Sequence, residues 1–124
     1  MLTSIGKFLR TIRLNNGEIL KTMADKLGVS SAFLSAVENG KKKMPEQWEQ
    51  KLCMLYDFSQ EQKYKLQEAI IDTNHAVELN LKNVTQQNRD LAISFARHFE
   101  SLDEETSKRI YEILNATETE DHSI

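Results

Sequence analysis

Apolar residues recur at intervals of three and four along most of this chain, the spacing that gives a helix one buried stripe. Ile5, Phe8, Leu9 and Ile12 form the first such stripe, and Thr3 or Ser4 can cap it. Asn15-Asn16-Gly17 closes that helix with residues that tolerate left-handed backbone. A second helix is predicted from about Leu20 to Leu27, with Met23, Ala24 and Leu27 inward and the small Ala24 admitting a close helix crossing. Gly28 can take the left-handed turn that ends it, Val29 can drop into a core, and Ser30 can cap a third helix. There Leu34 and Val37 face inward, while Ser31, Ala32, Ser35, Ala36 and Asn39 line the other side. Gly40 closes the third helix and Pro45 can seat the first turn of a fourth, on which Trp48, Leu52, Leu55 and Tyr56 share a face. Ser59-Gln60-Glu61-Gln62 reads as a capping box, opening a fifth helix with Leu66, Ala69, Ile70 and Thr73 inward.

The period then changes. Val77, Leu79 and Leu81 alternate with Glu78, Asn80 and Lys82, which predicts a strand over 76–82. A lone strand has no ladder partner, and the simplest remedy is the same strand of a second copy, antiparallel about a two-fold axis. An extended linker is the alternative. Thr85 can cap a sixth helix, over about 86–100, with Leu91, Ala92, Phe95, Ala96, Phe99 and Leu102 on one broad face. Asp103-Glu104-Glu105 suits the positive start of a seventh, over 103–115, whose stripe is Ile110, Ile113 and Leu114. One strand and two short helices hold too little core to stand alone, so residues 74–116 are expected to dimerise, through Val77, Leu79, Leu81, Phe95 and Phe99. From Thr117 the polar TETEDHSI, residues 117–124, is expected to be a disordered tail.

Length changes this picture little: 124 residues make one domain or two very small ones, and 40% hydrophobic with 28% charged content is ordinary for a globular protein. The single cysteine, Cys53, has no internal disulfide partner, which fits a reducing cytoplasm. No signal peptide and no membrane span is expected, because no apolar run is long enough. Charge matters more. The formal net charge of −3 argues against nucleic acid, but its distribution does not. Residues 1–58 carry nine Lys/Arg and six Asp/Glu, a net of +3, whereas residues 59–124 carry seven and thirteen, a net of −6. A basic half joined to an acidic half suggests that only the first touches phosphate.

A short helix with a bare face of small residues, and Lys41, Lys42 and Lys43 at its end, suits a DNA major groove. The bland alternative is an amphipathic helix with a solvated outer side. Ala24, Gly28, Ser30, Leu34, Val37, then Glu38-Asn39-Gly40-Lys41 and Pro45, resemble the helix-turn-helix of the phage repressor and Cro family, the XRE family. The resemblance covers roughly Ile5 to Phe58. It implies a mainly α protein: a five-helix lambda-repressor-like domain over 1–73, followed here by the small C-terminal dimerisation region. It implies further that Ser31, Ala32 and Ala36, with Ser35 on the same face, lie at base edges, and that Asn39, Lys41, Lys42 and Lys43 meet phosphates. Arg13 matches a family arginine that pairs with the glutamate after the recognition helix, here Glu38, as a scaffold ion pair. Where relatives carry a polar cap and a phosphate-binding glutamine, this chain has Ile19 and Leu20, leaving that contact to backbone N–H groups and Lys21. Serine pairs with several bases and alanine offers only a methyl, so readout per half-site is expected to be modest.

No catalytic constellation is visible. His75, His98 and His122 lack metal-ligand spacing with Cys53, no Gly-rich phosphate loop exists, and no cofactor is expected. The leading expectation is a dimeric, sequence-specific transcriptional regulator, most simply a repressor on a palindromic operator of double-stranded DNA. The rival is a protein-interaction module, such as an antitoxin or a phage-encoded inhibitor, in which the helix-turn-helix is scaffold and a protein partner replaces DNA.

Overall fold

The computed structural model of the chain describes the backbone of residues 1–122 and the side chains of residues 1–116. Seven α-helices follow one another: α1 (Ser4–Asn15), α2 (Leu20–Leu27), α3 (Ser31–Glu38), α4 (Gln47–Leu55), α5 (Gln60–Asn74), α6 (Gln86–His98) and α7 (Glu104–His122). A 3-10 turn, Phe99–Ser101, separates the last two. The protein is mainly helical, and it divides between Val77 and Glu78 into two units. No helix among the described residues is long and apolar enough to cross a membrane.

The first unit holds α1 to α5 around one core. The inward stripes supply it: Ile5, Leu9, Met23, Leu34, Leu52 and Leu66 are fully buried, and Trp48 nearly so. Each such aliphatic side chain is worth about 1.5–3 kcal/mol relative to exposure. α1 packs on both α3 and α5, and α2 on α3 and α4. Local chemistry fixes the helix ends. Thr3 caps α1 by accepting from the Gly6 N–H at 3.1 Å, and Ser59 with Gln62 forms a reciprocal capping box at the start of α5. The far end of α5 is tied back, with the Ile5 N–H donating to Thr73 Oγ1 at 3.1 Å and the Ser4 hydroxyl to Asp72.

Leu55 does not join the core face read for the fourth helix; it is 39% exposed at the last position of α4. The chain turns there through Asp57 in left-handed geometry, and Phe58 fills the core instead, edge-on to Phe8 at 5.6 Å.

The second unit departs further from expectation. Among the described residues there is no strand: residues 76–81 are irregular, followed by a turn with Asn83 at φ 68°. The alternation of Val77, Leu79 and Leu81 is real, but the chain offers no second strand to complete a ladder. The Asn80 side chain instead takes the Lys82 N–H at 2.9 Å, a local bond that competes with extended pairing. The sixth helix stops at His98 rather than near residue 100 and passes into the 3-10 turn. Residues 117–122, expected as disordered tail, continue α7; no glycine or proline interrupts them, and extending a formed helix avoids the cost of nucleation. Ser123 and Ile124 lie outside the described residues. Thr85 caps α6 through the Asn88 N–H at 3.1 Å. Asp103 caps α7 through the Thr106 N–H at 2.7 Å, and this bond holds its carboxyl below the usual range. No residue of α6 is buried.

Candidate nucleic-acid interface

The α2–turn–α3 segment is built by its backbone. Gly28 sits at φ 74°, in the left-handed region that favours glycine, and lets its own N–H reach the Asp25 carbonyl at 3.1 Å. The next N–H, of Val29, bonds the Ala24 carbonyl at 3.0 Å. Lys51 adds a cation at this helix end, donating from Nζ to the Leu27 carbonyl at 2.9 Å. Ser30 then starts α3, its Oγ accepting from the Phe33 N–H at 3.0 Å.

The inner side of α3 is locked by Leu34, Val37 and Glu38, all buried. Phe33, on the edge, packs edge-to-face on Trp48 at 5.9 Å, rather than serving the outer face. That leaves Ala32 exposed, with Ser31, Ser35 and Ala36 half-exposed beside it. The Ser31 hydroxyl has no hydrogen bond among the described residues, so it can both donate and accept. Asn39 is turned back: its amide nitrogen donates to the Ser35 carbonyl at 2.9 Å. As a phosphate ligand it retains only its second amide proton.

Lys41, Lys42 and Lys43 are exposed, and none forms an ion pair among the described residues. Their backbone is not loose. Gly40 turns at φ 77°, and the N–H groups of Lys41 and Lys42 both reach the Ala36 carbonyl, at 2.8 and 3.2 Å. Met44 then enters the core. Three cations are thus carried on a segment anchored at both ends, beside the negative end of the α3 dipole. Lys21 differs: its ammonium is paired with Asp25 at 3.2 Å on the exposed side of α2.

Two polar nodes hold this frame. Arg13 and Glu38 are 7% and 3% exposed and form a two-pronged ion pair, with Nη2 to Oε1 at 3.1 Å and Nη1 to Oε2 as the second contact. Nη1 also lies 3.4 Å from the Met23 sulfur. The Glu38 carbonyl is equally engaged, accepting from the Thr3 N–H at 2.9 Å and the Thr3 hydroxyl at 3.0 Å. Gly6 makes this closeness possible, since a Cβ there would lie 2.2 Å from the Glu38 oxygen. The second node is Glu18, which accepts from the Tyr56 hydroxyl at 2.7 Å and from Lys26. The Lys26 ammonium in turn stands 4.9 Å over the Tyr56 ring. Burial pushes the Glu18 carboxyl up, but the Lys26 and Tyr56 hydrogen bonds outweigh it and its pKa is lowered. Burial, then the bond to Glu18, raises that of Tyr56.

Sequence pattern alone does not assign Thr3, Gly6, Glu18 and Tyr56 to this frame. A glycine inside a helix pattern is the one available signal for Gly6, because it costs about 1 kcal/mol against alanine unless close packing requires it. The residues expected to dimerise lie elsewhere: Val77, Leu79 and Leu81 in the irregular segment, and Phe95 and Phe99 on α6 and the 3-10 turn. Among the described residues no three of His, Cys, Asp and Glu gather as a metal could require. Comparisons with protein-family models, curated proteins and solved structures return no match to this chain.

Proposed function

We propose that the first unit is a DNA-binding module of a transcriptional regulator, most simply a repressor, which lays α3 in the major groove. The observation that carries this is the pairing of a small-residue face on a rigidly seated helix with three uncompensated lysines anchored at its end. Ser31, Ala32, Ser35 and Ala36 let the backbone approach base edges closely, and Lys41, Lys42 and Lys43 reach flanking phosphates. Lys21 contributes less, since Asp25 competes for its charge. With no bidentate side chain on the face, sequence preference arises from serine, methyl contacts and DNA shape. A palindromic operator places two such modules about 34 Å apart, one on each half-site.

Selection of duplexes from a random pool, followed by affinity measurements across salt concentrations, tests this. Wild type enriches a defined site. Lys41→Ala or Lys43→Ala lowers the slope of log affinity against log salt by about 0.9 for each phosphate no longer neutralised, with the preferred sequence unchanged. Ser31→Ala and Ala36→Gln change which sequences are enriched. No enrichment by wild type, or an unaltered preference after both groove-face substitutions, overturns the docking.

A second reading, a protein-interaction module such as an antitoxin or inhibitor, draws on the exposed apolar side chains of the second unit and the acidic character of residues 59–124. It predicts a stoichiometric protein partner whose binding survives Lys41→Ala and Lys43→Ala.

A further inference from the structure

The second unit presents an apolar stripe with nothing upon it. Leu91, Phe95 and Phe99 follow at intervals of four and are 66%, 40% and 60% exposed. The two phenyl rings touch, with centroids 5.4 Å apart, so the stripe continues from α6 onto the 3-10 turn. Ala92 lies beside it. At 100° per residue, Asp90 and Arg97 fall on the opposite side of α6, and Arg89 lies well off the stripe. A helix of 13 residues with no buried side chain is marginal by itself in water.

We propose that this stripe is the self-association surface of the protein, covered by the same stripe of a second copy with the two α6 helices antiparallel. Two features select a copy of the chain over a different protein. The stripe carries no charge, so it meets itself without repulsion, whereas a patch of one sign would reject its own image. The area is also sufficient. Val84, Leu91, Phe95, Phe99, Tyr111 and Leu114 together expose on the order of 600 Å² of side chain, given about 150–250 Å² for a whole aromatic residue. At about 60% apolar content, that supports an interface near the ~800 Å² per partner of stable complexes. Antiparallel pairing about Phe95 sets Leu91 against Phe99 of the other copy, so the smaller side chain faces the larger along the seam. The irregular segment around Val77 and Leu79 takes no part in this pairing. The surface is separate from α3, and its test uses no DNA, so it can fail while the DNA reading stands.

Light scattering on the full chain, with no nucleic acid present, decides the matter. Wild type at micromolar concentration has twice the chain mass, and the double variant Phe95→Asp/Phe99→Asp self-associates at least tenfold more weakly. The thermal transition followed by Trp48 fluorescence is unchanged in that variant, which separates weakened association from unfolding of the first unit. In a Cys53→Ser background, Phe95→Cys forms a disulfide-linked dimer on mild oxidation while Arg97→Cys does not. A wild type of single-chain mass, a double variant that dimerises like wild type, or equal cross-linking at 95 and 97 overturns the proposal.

Discussion

The two units of this protein obey the same helical periodicity and arrive at opposite results. In the first, stripes such as Ile5, Leu9 and Ile12 meet Leu34, Leu52 and Leu66 and disappear from solvent. In the second, Leu91, Phe95 and Phe99 are spaced as regularly, yet α6 buries none of its residues. A stripe names the side of a helix that is to be covered; it does not say that the same chain supplies the cover. Five helices provide enough mutual surface for a core, and two helices with a 3-10 turn between them do not.

The largest effect that would sharpen this contrast comes from the buried ion pair. Arg13→Ala strands the Glu38 carboxylate and is expected to destabilise the first unit by about 3–5 kcal/mol, read as a lower unfolding midpoint by Trp48 fluorescence. DNA affinity falls with it, because Glu38 ends α3. Leu34→Ala should cost about 2–5 kcal/mol in the same measurement, whereas Leu91→Ala should move it by less than about 0.5 kcal/mol. Similar losses from both leucines would erase the distinction between the units. Gly6→Ala comes next, at about 1–3 kcal/mol, since its Cβ must displace the Glu38 carbonyl or the start of α1.

The smallest effect is that of pH. The Glu18 pKa is lowered, so its contribution is complete above the ordinary value of 4.5 and is lost as pH falls through the folded value. The Tyr56 pKa is raised, so its contribution is complete below 10 and is lost as pH rises beyond that. Denaturant midpoints followed into alkali should decline in wild type but not in Tyr56→Phe, which itself costs about 1 kcal/mol at neutral pH. A parallel decline in both proteins would mean that Tyr56 is not the responsible group.

Much of the first unit was legible in its sequence, because its signals are local. Ser30, Ser59 and Thr85 cap the helices they precede, Gly28 turns left-handed, and the bounds of α2 follow from its stripe. What escaped depends on distance in space. Phe33 could have packed anywhere near the rim, and only the placement of Trp48 selects its partner. Glu18 reads as a loop acid until Tyr56, 38 residues later, is brought to it. Alternation over 76–82 suggested a strand because period two is a local property, whereas a ladder needs a neighbour that local pattern cannot supply. In the candidate interface, the outer face of α3 was legible, but the inward turn of Asn39 and the pairing of Lys21 were not, since both depend on which polar neighbour competes for the group.

The Ala36 carbonyl, which takes two N–H groups from the lysine segment, has a mechanical consequence. With the main chain of Lys41 and Lys42 so occupied, those residues can grip a nucleic acid only at the tips of their four-carbon stems. In the proposed docking their hold is that of short springs on a fixed post. Such tethers follow a phosphate through the small shifts that come with groove width and bending, without disturbing the seat of α3. The helix can then search for register while the charges keep their grip, which suits a face whose own chemical vocabulary is small.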